Sequence, residues 1–124
     1  METTLPSDCG NSPRTTIVGD FVSRWAAGDT AGVSSWLSDD ATWTFVGSGE
    51  HTGPDVAAQA IPAVPPQTLE VLSIVTHGRL ASCDGRLETD GKRVNFSHVF
   101  RFTGATKTAK IAHVRTYLIE GADR

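Results

Sequence analysis

The chain has 124 residues, a formal net charge of −3, 39% hydrophobic residues and 20% charged residues, which is typical of one globular domain with its own core. Its 11 Lys and Arg residues are scattered along the sequence, which argues against nucleic acid or an anionic membrane as a partner. There is no positively charged leader and no apolar run of membrane-spanning length, so we expect a cytoplasmic protein.

The ends of the chain are predicted to lie outside the folded domain. Residues 1–11 are rich in Thr, Pro, Ser and Asp without hydrophobic periodicity, which predicts a flexible N-terminal tail. A single domain is expected over 12–120, with a short C-terminal tail at 121–124. The two cysteines, Cys9 and Cys83, are too few for a disulfide framework and are interpreted as reduced thiols.

The first half of the domain is predicted to be mainly helical. Ser12 followed by Pro13 is typical of a helix start, and apolar residues at helical spacing continue to Gly28, where the helix should end. Asp29 is expected to begin a second short helix reaching about Leu37. A strand over Ala41–Val46 and a third helix over Val56–Ile61 complete this half.

The second half shows the two-residue alternation of strands. Strands are predicted at about 68–76, 80–89, 92–102 and 108–119, with Asp90-Gly91 as the strongest turn signal. Short connections require antiparallel neighbours, so the prediction is an α+β domain in which a meander packs against the N-terminal helices.

The last strand has two possible inner faces. We assign Ala112, Val114, Thr116 and Leu118 to the inner face, because the opposite choice would bury both His113 and Arg115. Ile111, Tyr117 and Ile119 would then form an apolar outer face, which predicts a subunit partner.

The order of these elements resembles that of the nuclear transport factor 2-like superfamily, which includes ketosteroid isomerases, SnoaL-like polyketide cyclases and limonene epoxide hydrolases. The similarity covers about residues 13–120 and includes Ala-Ala-Gly-Asp at 26–29, Asp-Asp-Ala-Thr at 39–42 and Lys-Ile-Ala-His-Val-Arg at 110–115. The resemblance implies a curved sheet wrapped around N-terminal helices to form a cone, with an internal apolar pocket and usually a homodimer.

The family's catalytic residues are mostly absent from this chain. By the resemblance, the isomerase tyrosine falls at about Phe21, its general-base aspartate at about Phe45 and its oxyanion-hole aspartate at His98. The aspartate that cyclases and epoxide hydrolases place on the last strand falls at Thr116. Because a phenyl ring neither transfers protons nor donates hydrogen bonds, none of these chemistries is expected to transfer intact.

His98 is the main catalytic candidate. It alternates with Phe96 and Phe100 on one face of a strand, so it is either an acid/base or oxyanion donor on a pocket wall or a neutral core histidine. In an apolar site, desolvation should lower its pKa. Thr116 is the second catalytic candidate, because it would share the inner face with His98.

The predicted ligand pocket consists of inward-facing apolar residues. They are Phe21, Trp43, Phe45, Phe96, Phe100, Val114 and Leu118. Trp25 and Trp36 are interpreted as core, and Gly47-Ser48-Gly49-Glu50-His51 as a surface loop or, alternatively, a pocket rim. No histidine pair has metal-binding spacing and no Gly-rich phosphate loop is present, so no metal or cofactor is predicted.

Two functions remain open at this point. One is an enzyme that isomerises, cyclises or hydrates an apolar, cyclic or polyketide-like molecule by proton transfer. The other is a non-catalytic ligand-binding or dimeric assembly module with the same fold. A cavity with convergent polar groups would favour the enzyme, and a filled cone would favour the module.

Overall fold

The computed structural model describes residues 1–7 and 12–121, so Cys9 and the last three residues lie outside the described part of the chain. In this part, three helices pack against one seven-stranded sheet. The helices are α1 (Pro13–Ala27), α2 (Thr30–Trp36) and α3 (Val56–Ala60). The strands are β1 (Glu2–Thr4), β2 (Leu37–Phe45), β3 (Gly49–Thr52), β4 (Thr68–His77), β5 (Leu80–Thr89), β6 (Lys92–Phe102) and β7 (Ile111–Glu120).

The strand order is β1-β4-β5-β6-β7-β2-β3. Strands β4 to β7 form the predicted antiparallel meander, while β1 and β2 pair in parallel with β4 and β7. The sheet is curved and open, and the α+β cone expected from the sequence is confirmed. Asp90 and Gly91 both have positive φ, 50° and 81°, as the tight hairpin turn between β5 and β6 requires.

Helix α1 occupies the concave side of the sheet. It begins as predicted, because Ser12 Oγ accepts a hydrogen bond from the Thr15 backbone N–H at 3.2 Å, and it ends at Gly28 with φ 75°. Its buried Phe21 ring stacks on Trp43 at 5.6 Å between centroids and meets Phe100 edge-on at 5.4 Å. The aromatic contacts therefore fix the helix across β2 and β6.

Three elements differ from the predicted boundaries. The segment expected to be a flexible tail contains β1, whose backbone pairs with residues Thr68–Glu70 of β4. Strand β2 starts at Leu37, because the exposed Asp39 and Asp40 lie within an irregularity of its pairing with β7 and do not separate helix from strand. Part of the predicted surface loop at 47–51 belongs to β3, which forms a hairpin with β2.

The outer assignment of Ile111 was wrong. Its side chain is fully buried, because the β6–β7 register shifts between the pairs Arg101–His113 and Phe102–Ile111. The extra residue on β7 is Ala112, which moves Ile111 and Val114 to the same side of the sheet. Beyond this bulge the alternation is as predicted, with Thr116 buried and Tyr117 exposed.

Gly85 on β5 allows close approach of β4. A Cβ atom at this position would overlap the Glu70 carbonyl oxygen and lie 3.0 Å from Val71 Cα. The β4–β5 register shifts between Val71 and Ser73, so the glycine lies beside a bulge that bends the sheet around α1. Within the described residues, no helix is long and apolar enough to cross a membrane.

Candidate functional site

The interior of the cone contains a small polar network centred on Thr116. His98 on β6 and Thr116 on β7 are register partners, and His98 Nδ1 lies 2.7 Å from Thr116 Oγ1. The Trp43 indole N–H donates to the same oxygen at 2.8 Å. All three side chains are at most 1% exposed, so the hydrogen bonds are made without competition from solvent.

The network favours one tautomer of His98. Because the indole of Trp43 can only donate, the Thr116 oxygen accepts from it and has its own proton left to give. The acceptor within reach is His98 Nδ1, so we assign the neutral tautomer with the proton on Nε2. Within the described residues, Nε2 is buried and has no hydrogen-bond partner.

Burial keeps His98 neutral. Aromatic rings surround the imidazole, with centroids at 4.4 Å for Trp25, 5.1 Å for Phe96 and 5.8 Å for Phe100. Desolvation by these groups lowers the pKa of His98 to about 3, in the direction expected from the sequence. A histidine in this state accepts a proton from a ligand only if its surroundings change.

A cavity of about 890 Å³ opens at one end of the cone, within the usual size range for small-molecule sites. The inner wall includes Trp25, Leu87, Val94 and Leu118. The segment from Gln59 to Pro66, at the end of α3, forms a second wall. The entrance of the cavity is formed by the β2–β3 hairpin, from Phe45 to His51, and by the β5–β6 turn. Most of the polar side chains in the cavity lining therefore lie at this entrance, which we call the mouth.

Trp25 separates the cavity from His98. Its indole ring lines the cavity and also meets the His98 ring edge-on at 4.4 Å. The indole N–H donates to the Ala60 carbonyl oxygen at 2.8 Å, which connects α1 to the wall formed by α3. The cone therefore has an open apolar compartment and a sealed polar one, divided by the packed side chains of Trp25 and Phe96.

The cavity does not have the wall that we expected. Of the predicted ligand-pocket residues, only Phe45 and Leu118 line it. The other five predicted pocket residues are packed in the core around the sealed network: Phe21, Trp43, Phe96, Phe100 and Val114. Both catalytic candidates, His98 and Thr116, are buried there as well. The physical reason is that Trp25 and Phe96, in contact at 5.3 Å, fill the space between these residues and the cavity.

Sequence reasoning missed several wall residues. Trp25 was interpreted as core, because an indole on a buried helix face gives no sign that its far edge borders a void. Ile61, Leu87 and Val94 were not singled out. The available signals were the prolines at 62, 65 and 66, which force an irregular wall after α3, and the alternative interpretation of the segment ending at His51 as a pocket rim.

In the described part of the chain, the other reactive groups do not form a second site. Cys83 is a free, buried thiol on β5, and desolvation raises its pKa to about 12, so it is a poor nucleophile. Within residues 1–7 and 12–121, no three His, Cys, Asp or Glu side chains come together in a way that could hold a metal ion.

The comparisons with known proteins agree with this architecture. The model of the SnoaL-like domain family matches residues 18–114. No curated protein matches the sequence. Among solved structures, an NTF2-like protein of unknown function from Burkholderia xenovorans LB400 is similar with a TM-score of 0.74 at 20% identity, over 90% of this chain and 86% of that chain.

Two further solved structures have names that describe chemistry. A protein from Kribbella flavida DSM 17836, provisionally named a ketosteroid isomerase, has a TM-score of 0.71 at 11% identity, over 90% of this chain and 82% of that chain. The epoxide hydrolase/cyclase-like enzyme SalBIII, described in pyran ring formation in the polyether salinomycin, has a TM-score of 0.63 at 18% identity, over 86% and 90%. At these identities the similarity establishes the fold alone.

Proposed function

Since the chain belongs to the SnoaL-like domain family, we propose that it binds a small apolar, cyclic or polyketide-like molecule in the cavity beside Trp25. The observation that carries this proposal is the size and lining of the cavity: about 890 Å³, with Trp25, Ile61, Leu87 and Leu118 in its wall. A ring system buried there would gain roughly 25 cal/mol per Å² of apolar surface removed from water.

Aromatic and aliphatic side chains from separate elements support a cyclic ligand. Trp25 comes from α1, Phe45 from β2, Ile61 from the end of α3 and Leu118 from β7. A flat ring can pack against the half-buried Phe45 and the edge of Trp25 that borders the cavity. A hydrophilic metabolite would leave its polar groups unpaired against this wall. The names of two structural neighbours, a provisional ketosteroid isomerase and an epoxide hydrolase/cyclase-like enzyme, point to the same ligand class.

The three tryptophans provide the test of binding. Their indole N–H groups have different acceptors: the Ala60 carbonyl for Trp25, Asp20 for Trp36 and Thr116 for Trp43. When ¹⁵N-labelled protein is titrated with 4-methylbiphenyl, we expect the Trp25 indole signal to shift and saturate. The Trp36 signal is the internal control, because Trp36 does not line the cavity. An unmoved Trp25 signal, or equal shifts of both, would contradict the proposal.

A second candidate function is catalysis by proton transfer, with His98 as acid/base or oxyanion donor and Thr116 assisting. The observation that favours it is the unpartnered Nε2 of His98, buried behind Trp25; in the assigned tautomer this nitrogen is a free donor, which suits the oxyanion role. For this role, Trp25 and Phe96 would have to move apart so that a ligand reaches this nitrogen. The candidate requires the Trp43 indole signal to respond to the ligand as well, since Trp43 shares Thr116 with His98.

We further propose a homodimer formed through the outer face of the sheet. Ile119 is 67% exposed, Tyr117 41% and Val75 60%, and the alternation of the strands places all three on the side opposite α1. Sedimentation velocity at micromolar concentration should show a dimer, and Ile119→Glu should shift the equilibrium towards monomer. A monomer at every concentration would contradict the proposal.

A cytoplasmic location is also proposed, supported by the free thiol of Cys83.

A further inference from the structure

We propose that His51 is the residue that recognises the polar end of the ligand. The ligand would be an apolar ring system with one hydroxyl or carbonyl oxygen, and that oxygen would form a hydrogen bond with the imidazole of His51. This inference rests on the proposed function, because it needs a molecule in the cavity. It adds a specificity residue and a chemical requirement on the ligand.

The direction of the His51 side chain follows from the register of the hairpin. His51 on β3 is the partner of Trp43 on β2, and register partners project from the same face of a sheet. Trp43 points into the cone, where it is fully buried. His51 therefore also faces inward, where it lines the cavity. The centroids of the His51 and Phe45 rings are 5.9 Å apart, and the two ring planes are inclined by 71°.

The ring nitrogens of His51 are available to a ligand. No hydrogen-bond partner for them is seen within the described residues, and the side chain is only half-buried. Two other histidines are already engaged: His98 Nδ1 with Thr116 inside the core, and His113 Nε2 with Thr44 Oγ1 at 3.1 Å on the outer face. His51 is thus placed at the mouth with both donor and acceptor capacity free.

The neighbouring polar residues are less suited to this role. Asp90 accepts from the Gln67 side chain at 3.5 Å, and its own backbone N–H donates to Gln67 at 3.1 Å. Glu50 accepts from Thr44 at 3.3 Å. The Glu50 carboxylate is held towards the outer face by this bond, so Asp90 and Lys92 are the opposite charges at the rim, and together they do not favour an anionic ligand. A neutral oxygen fits this rim better.

Two probes of the same shape test the requirement for an oxygen. 4-Phenylphenol and 4-methylbiphenyl differ only in having a hydroxyl or a methyl group at one end, and their affinities can be measured by NMR titration. His51→Phe keeps an aromatic ring against Phe45 but removes the hydrogen bond. We expect this variant to bind 4-phenylphenol about fivefold more weakly, in line with a typical net hydrogen bond. Its affinity for 4-methylbiphenyl should be unchanged or higher.

Two further variants make the test specific. His51→Gln retains a donor and an acceptor and should preserve most of the affinity for 4-phenylphenol. Thr89→Val removes the other half-buried polar side chain in the cavity lining, and it should leave the ratio of the two affinities unchanged. An unshifted Trp36 indole signal in each free variant establishes that the fold is intact.

The outcomes separate this inference from the proposed function. If His51→Phe weakens both probes equally or neither, or if Thr89→Val removes the preference for the hydroxyl, the role of His51 is overturned while the cavity remains a binding site. If the wild-type protein binds neither probe, the proposed function fails and the inference fails with it.

Discussion

Thr116→Val should lower the free energy of unfolding by about 2–5 kcal/mol, because it removes the hydroxyl that joins two buried groups. The Trp43 indole N–H loses its acceptor at 2.8 Å, and His98 Nδ1 loses its donor at 2.7 Å. Valine has nearly the same shape as threonine, so the loss measures the hydrogen bonds more than the packing. For a domain of this size it is a large fraction of the total stability.

Two control variants identify the cause of the loss. Thr116→Ser keeps the hydroxyl and should cost only about 1 kcal/mol for the missing methyl group. Thr42→Val makes the same chemical change on the partly exposed face of β2 and should change the stability by less than about 0.5 kcal/mol. Urea unfolding measures all three. If Thr116→Val is as stable as Thr42→Val, the hydroxyl is not needed by the core.

The stability of the protein should depend on pH through His98. Burial lowers the folded-state pKa from 6.5 to about 3, whereas the unfolded chain takes up a proton near the ordinary pKa of histidine. Between these values the unfolded state binds one more proton than the folded state. Stability is therefore lost as the pH falls below about 6.5, at up to roughly 1.4 kcal/mol per pH unit.

A non-ionisable replacement isolates this contribution. In His98→Gln the amide can still accept from Thr116, but it does not titrate, and all other ionisable groups are common to the two proteins. Urea unfolding between about pH 5.5 and 4 should show a slope that is smaller in the variant by roughly 1.4 kcal/mol per pH unit. Equal slopes in the two proteins would mean that His98 takes up its proton in the folded state.

Much of the fold could be predicted because its signals are local. Ser12 and Pro13 begin α1, Gly28 ends it, and Asp90-Gly91 forms the predicted turn. In each case one residue type has a conformational property that its neighbours lack. Residues 80–87 and 96–102 also alternate between buried and more exposed positions, so the inward direction of His98 followed from the sequence.

The bulges could not be predicted from the sequence. Ala112 lies in the middle of an otherwise regular alternation, and the extra residue becomes apparent only when β6 is placed beside β7. The register shift between Val71 and Ser73 on β4 likewise could not be predicted from the pattern of β4 alone. The sequence feature related to it is Gly85 on the neighbouring strand. A bulge depends on the pairing of two strands, and one strand's pattern does not contain that information.

The position of the cavity could not be predicted from the sequence either, and the reason is related. His98 and Thr116 were correctly brought together as neighbours, yet whether a void adjoins them depends on how far one indole ring extends. Trp25 fills that space from the helix side. A residue-by-residue pattern predicts which side chains face inward, but it does not predict where their volumes leave a gap.

The separation of the two compartments has a functional consequence. A ligand in the cavity would meet Trp25, Ile61 and Leu118, and the packed rings of Trp25 and Phe96 separate it from His98. Binding therefore requires no change in the core, whereas proton transfer by His98 requires one. These contacts support our proposal of ligand binding more directly than the second candidate, catalysis by His98.

The most direct test is a crystal structure of the protein grown with 4-methylbiphenyl. We predict density for the two rings between the β2–β3 hairpin and the segment from Gln59 to Pro66, in contact with Trp25 and Leu118. The hydrogen bond from Trp25 to Ala60 should be preserved and His98 should remain sealed. An empty cavity at saturating probe, or density only on the outer face of the sheet, would contradict the account.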